Sequence, residues 1–190
     1  MLAGIGGQGI QLAAQILARA AIHEELQVMY LGTYGGTMRG GNTDATLVIA
    51  DQRILAPPLV SHVSSALAMH HAFWGPVEQK LRPGAVVAMN DTVFEGEPKG
   101  EDLRLLRVPA TRIASDLGHP LGACMLLLGA WAAATELVGL ESLLEGMRRS
   151  IPSYRRQNID ANETVLREGF GWGEPGVASL RLPGAAGESA

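Results

Sequence analysis

The chain has 190 residues and a formal net charge of −4, with 47% hydrophobic and 18% charged residues. That length fits one domain, or one domain with a tail, and the composition excludes general disorder. The mild acidity leaves no electrostatic footprint for nucleic acid, and the single cysteine, Cys124, excludes an internal disulfide, a zinc site or an iron–sulfur cluster held by this chain alone.

Met1 to Ile5 reads as the end of a strand, short enough to suggest a trimmed first strand. No basic region precedes an apolar run there, so no signal peptide is expected, and a cytoplasmic location is the default. Gln8 to Glu25 carries Leu12, Ile16, Leu17, Ala20 and Ala21 at helical spacing. Val28 to Leu31 is a second strand, Thr33 to Asn42 a Gly-rich loop, and Thr43 to Ala50 a third strand with β-branched residues at Thr46, Val48 and Ile49. Val63 to Met69 forms a fourth strand. His71 to Leu81 reads as a helix closed by the Arg82-Pro83-Gly84 turn signal. Ala85 to Met89 is a buried strand, Glu95 to Asp102 a polar loop, and Leu103 to Val108 another strand. Four helices follow, at Thr111 to Leu117, Pro120 to Leu137, Glu141 to Arg149 and Asn158 to Glu168. The apolar stretch Leu121 to Ala134 is broken by Gly122 and Gly129 and is too short to span a membrane. Residues 1–170 are expected to form a single domain, and 171–190 a loose tail.

Strand–helix alternation points to an α/β fold with three α/β/α layers: a mostly parallel sheet, helices on both faces and a helical C-terminal part. Ligands of such sheets bind at the carboxyl ends of the strands, where both Gly-rich segments fall.

The first segment, Gly4-Ile5-Gly6-Gly7-Gln8-Gly9, satisfies G-x-G-x-x-G between a strand and a helix. A dinucleotide site also wants an acidic residue at the end of the second strand, and that strand ends Tyr30-Leu31-Gly32-Thr33. The segment is therefore a free-standing nucleotide site, a tight turn packed on another chain, or an anion or cofactor contact shared with a partner. The second segment, Tyr34-Gly35-Gly36-Thr37-Met38-Arg39-Gly40-Gly41-Asn42, sets one arginine between two glycine pairs. Arg39 is either a salt-bridge partner or a bidentate clamp for a carboxylate or phosphate. His70 and His71 read as surface or interface residues, Cys124 as a buried core thiol, and Asp44 and Asp51 as solvated or capping residues flanking a strand. Nothing forms a self-sufficient catalytic set.

The two glycine motifs, with Ala13-Ala14 after the first and Met38-Arg39-Gly40-Gly41 in the second, resemble the gamma subunit of the 2-oxoacid:ferredoxin oxidoreductases. Leu81-Arg82-Pro83-Gly84, Val108-Pro109-Ala110-Thr111, Leu128-Gly129-Ala130, Asn162 and Gly169 fit the same pattern, so the likeness runs from residue 3 to about 170. Two departures stand out: only Met1, Leu2 and Ala3 precede the first loop, and many members carry an acidic residue at or near Thr37.

The resemblance implies a non-redox subunit of a complex that oxidatively decarboxylates a 2-oxoacid, usually to an acyl-CoA. Thiamine diphosphate, magnesium and 4Fe-4S clusters would sit on partner subunits, with ferredoxin or another acceptor taking the electrons. It further implies that Gly4, Gly6, Gly7, Gln8, Gly9, Tyr34, Gly35, Arg39, Gly40, Gly41 and Asn42 lie at a subunit interface or beside a bound cofactor such as coenzyme A. No nucleic acid and no membrane partner is expected. The alternative is a stand-alone nucleotide-binding Rossmann-like module.

Overall fold

In a computed structural model, which describes residues 1–36, 40–173 and 179–180, six strands form one sheet in the order β2-β3-β1-β4-β5-β6. The strands are β1 (Leu2–Ile5), β2 (Gln27–Tyr34), β3 (Asn42–Ala50), β4 (Val63–Ala68), β5 (Leu81–Asn90) and β6 (Arg104–Val108). The helices are α1 (Ile10–His23), α2 (Gly75–Glu78), α3 (Ala110–Asp116), α4 (Ala123–Thr135), α5 (Leu140–Ser150) and α6 (Ile159–Trp172). β1, β4, β5 and β6 run parallel, whereas β3 is antiparallel to both β1 and β2. Five strands therefore share one direction and β3 alone is reversed. The expected mostly parallel α/β sheet stands, with the β2–β3 hairpin as its exception.

Side chains alternate across the sheet, as the pleat requires. Leu2, Leu67 and Ala88 face the larger core, together with α1, α3, α4, α5 and α6. Ala3, Ala66, Ala68, Val87 and Met89 face a smaller core closed by Trp74 and Val77 from the short segment around α2 and by Phe94 from the turn after β5. All thirteen residues of α4 are buried. A helix apolar all round belongs inside, and α4 lies between the sheet and the outer helices α5 and α6.

Two expectations need correction. The helix expected over His71 to Leu81 is only a 3₁₀ turn, His71–Phe73, followed by the single turn of α2. Pro76 fits the start of a helix, and Gly75-Pro76 stops a longer one from running through. The Arg82-Pro83-Gly84 turn lies inside β5, as a bulge between the pairs Val63–Leu81 and Ser65–Val86. Of the tail expected to be loose, residues 174–178 and 181–190 lie outside the described residues. Leu180 donates its backbone N–H to the Thr135 carbonyl at 2.7 Å.

Candidate functional site

β1 and β2 point the same way, so the loops after them reach the same edge of the sheet. The first loop folds back on itself. Ile5 N–H donates to Gln8 Oε1 at 2.8 Å, and Gln8 N–H donates to the Ile5 carbonyl at 3.0 Å. Gly7 and Gly9 hold φ of 107° and 84°, in the region where a Cβ is costly. Gly9 also caps α1, which has no side-chain cap. Gly4 is needed for space: a Cβ there would come 2.6 Å from Gln8 Oε1 and 2.9 Å from Met69 Cβ.

The second loop clasps the first through backbone. Gly6 N–H donates to the Gly41 carbonyl at 2.8 Å, and Gly40 N–H donates to the Gly6 carbonyl at 3.2 Å. Gly35 N–H donates to the Asn42 carbonyl at 2.7 Å and closes the base of the loop. Gly7, Tyr34, Gly36 and Gly40 are exposed, while Gly4 is buried. Gly6, Gly7, Gln8, Gly9, Gly35, Gly40, Gly41 and Asn42 are thus brought together at one edge of the sheet, with Gly4 buried beside them. Tyr34 is 68% exposed at its rim. Arg39, with Thr37 and Met38, lies outside the described residues.

Neighbouring polar groups brace this surface. Tyr30 donates its hydroxyl to Gln11 Oε1, and Gln11 Nε2 donates to the carbonyls of Thr33 (3.2 Å) and Asp44 (2.8 Å). Asn42 Nδ2 donates to Asp44 Oδ1 at 3.3 Å, and Asn42 Oδ1 is buried with no partner among the described residues. Asp44, expected to be a solvated or capping residue, instead sits half-buried within β3. Burial raises its carboxyl above the usual range, against the opposing pull of Lys80, Asn42 and Thr33.

The same edge carries groups whose roles sequence reasoning missed. Asn90, fully buried at the end of β5, donates from Nδ2 to Thr111 Oγ1 at 2.8 Å and accepts the Thr111 N–H at 3.1 Å. It thereby caps α3, whose own N-cap position is Pro109. In the sequence Thr111 opens a helix and closes the Val108-Pro109-Ala110-Thr111 pattern, and no local spacing links it to Asn90. His119 Nε2 lies 2.7 Å from Asn162 Oδ1 and ties the turn before α4 to α6. His70 and His71 follow β4, where Glu95 N–H donates to His71 Nδ1 at 3.2 Å. Burial lowers the His70 imidazole, and His71 lowers it further.

The donor set decides what the site can hold. Cys124 is buried, and burial pushes its thiol up to about 12. Among the described residues, no three His, Cys, Asp or Glu side chains gather around a possible metal position. These residues do not fit an iron–sulfur cluster or a metal–diphosphate group. The carboxyl end of β2 offers Thr33, Tyr34 and Gly35 rather than the acid a ribose would need. What remains is exposed glycine backbone, suited to close approach by another surface or by an anion. Among the described residues, no helix is long and apolar enough to cross a membrane.

Residues 1–172 match the family described as pyruvate ferredoxin/flavodoxin oxidoreductase. The 2-oxoglutarate synthase subunit KorC of Methanothermobacter thermautotrophicus is 32% identical over 80% of this chain and 83% of that protein. The gamma subunit of a keto/oxoacid ferredoxin oxidoreductase from Geobacter sulfurreducens shares the fold, with a TM-score of 0.75, 24% identity and coverage of 90% of this chain and 95% of that one. So does the 2-oxoglutarate:ferredoxin oxidoreductase from Magnetococcus marinus, solved with 2-oxoglutarate, coenzyme A and succinyl-CoA bound. Its TM-score is 0.82 at 17% identity, over 96% of this chain and 32% of that longer chain. On a match that takes in both glycine loops, all six strands and all six helices, the chain belongs to the pyruvate ferredoxin/flavodoxin oxidoreductase family.

Proposed function

We propose that this chain is a non-redox subunit of a multisubunit 2-oxoacid:acceptor oxidoreductase, which oxidatively decarboxylates a 2-oxoacid, usually to an acyl-CoA. In this reading thiamine diphosphate, magnesium and the 4Fe-4S clusters belong to partner subunits in the cytoplasm, and ferredoxin or another acceptor receives the electrons. Residues 1–170 act as one gamma-type domain. The observation that carries the reading is the clasp between Gly6 and Gly40–Gly41, which presents bare backbone at the carboxyl edge of the sheet. A surface without side chains admits a partner or the phosphate-bearing end of coenzyme A more closely than one lined by bulky groups. The chain's one thiol, buried and protonated, supports placing cluster chemistry elsewhere.

Affinity purification from the native host, with mass spectrometry of the associated chains, tests the reading. Recovery of a thiamine-binding subunit and a Cys-rich subunit is expected. Recovery of this chain without any other subunit would overturn it, and a rise in melting temperature with NAD(P), FAD or ATP would then favour the nucleotide-binding alternative. Within the purified complex, Arg39→Ala lowers turnover or acceptor affinity, while the isolated chain keeps its melting temperature. Unchanged kinetics would remove Arg39 from the site.

A further inference from the structure

β2 is an edge strand, paired only with β3 among the described residues. Edge strands are normally blunted by charges, proline, bulges or shortness, because their free N–H and C=O groups recruit another strand. The far edge, β6, follows that rule. It has five residues and includes Arg104 and Arg107, and Arg107 is ion-paired with Asp91 and Glu97. β2 does not. Its eight residues, Gln-Val-Met-Tyr-Leu-Gly-Thr-Tyr, contain no charge and no proline, and its register with β3 runs from Gln27–Ala50 to Tyr34–Thr43 without a shift.

The backbone groups left unpaired follow from the ladder. Gly35 N–H donates to the Asn42 carbonyl, so 35 and 42 form a hydrogen-bonded pair. Such pairs alternate along an antiparallel ladder, so Val28, Tyr30, Gly32 and Tyr34 direct their N–H and C=O groups away from β3. On the side chains, Val28 and Tyr30 pack toward the larger core. Leu31 projects from the other face and is 38% exposed.

We propose that β2 pairs antiparallel with β2 of a second copy of this chain, about a twofold axis at Leu31, joining two sheets into one. The strand is self-complementary in that register. Tyr30 meets Gly32 of the second copy and Val28 meets Tyr34, so every outward group faces another outward group. Leu31 meets its own counterpart on the uncovered face. The absence of charge supports the choice of a second copy: on the twofold axis Leu31 faces its own counterpart, where a charged side chain would meet a like charge. A strand evolved for a different, charged partner would carry complementary charge, and β2 carries none.

The test uses the full chain alone, with Leu31→Lys and Leu31→Glu variants, and light scattering after size exclusion at tens of micromolar. The wild type is expected at twice its 20.0 kDa monomer mass. Each variant places two like charges across the axis, and its dimer dissociation constant is expected to rise about tenfold or more. An equimolar mixture of the two variants restores the dimer, because Lys then faces Glu. Unchanged circular dichroism confirms that the variants fold. A monomeric wild type would overturn the proposal, as would a dimer that both variants leave intact. Variants that stay monomeric when mixed would overturn it as well. All these outcomes are read on this chain by itself, so they are distinct from failure to recover the partner subunits.

Discussion

Gly169→Ala should destabilise the chain even though alanine is the better helix former. α6 crosses α4 backbone to backbone, and a Cβ on Gly169 would come 2.7 Å from the carbonyl carbon and 2.9 Å from Cα of Leu126. Gly129 mirrors it, since a Cβ there would come 2.8 Å from the Phe170 nitrogen. Removing glycine from a helix gains about 1 kcal/mol. Overpacking costs about 1–3 kcal/mol, toward the upper end where the obstacle is buried backbone rather than a movable side chain. The net loss is about 2 kcal/mol, or a fall of about 4–8 °C in Tm for a domain of this size. Gly171→Ala is the control in the same helix, with no atom within 4 Å of its Cβ position, and it should gain up to about 1 kcal/mol. Both substitutions stiffen the unfolded chain alike, so the difference of about 3 kcal/mol between them reports the folded contact. Urea unfolding of the two variants by circular dichroism measures it. A Gly169→Ala chain as stable as Gly171→Ala would refute the close crossing.

Three further outcomes are expected. Gly7→Val should cost about 1–3 kcal/mol through its φ of 107° alone, because no atom lies within 4 Å of the Cβ position; Gly7→Asn should recover part of the loss, and equal melts for both and the wild type would show that the turn is slack. Asn90→Ala should lose about 1–3 kcal/mol by stranding the Thr111 N–H, and an unchanged urea midpoint would show that water replaces the cap. The Cys124 thiol, raised from 9.0 to about 12, favours the folded state fully below about pH 9, and its contribution is lost between about pH 9 and pH 12 at about 1.4 kcal/mol per pH unit. Cys124→Ala should therefore flatten the alkaline fall in stability, and a slope identical to the wild type would show that the thiol is not buried.

Legibility in the sequence followed the range of each interaction. α1, α5 and α6 were readable because their apolar faces repeat within the helix itself, and the second half of β5 because a buried strand is an apolar run. The helix expected over His71 to Leu81 is cut short by Gly75-Pro76, a local stop signal inside that stretch. The bulge at Arg82-Pro83-Gly84 had no local sign, because only the partner strand β4 distinguishes a bulge from a turn. Asn90 as the cap of α3, and the fit of Gly169 on α4, each join residues more than twenty positions apart.

The candidate site shows the same limit, and also why the one antiparallel strand matters. Both glycine loops were visible as motifs, and placing both at the carboxyl edge needed only that β1 and β2 run the same way. The clasp between them needed more. Parallel neighbours require a crossover of a dozen or more residues, and the segment from Gly35 to Gly41 is too short for one, so β3 must turn back along β2. Its reversal beside β1 brings the start of β3 against the end of β1, with Asn42 opposite Ile5 and Thr43 opposite Gly4. A parallel β3 would have carried its first residues to the opposite edge of the sheet, away from Gly6. The one antiparallel strand is thus what turns two separate glycine motifs into a single surface.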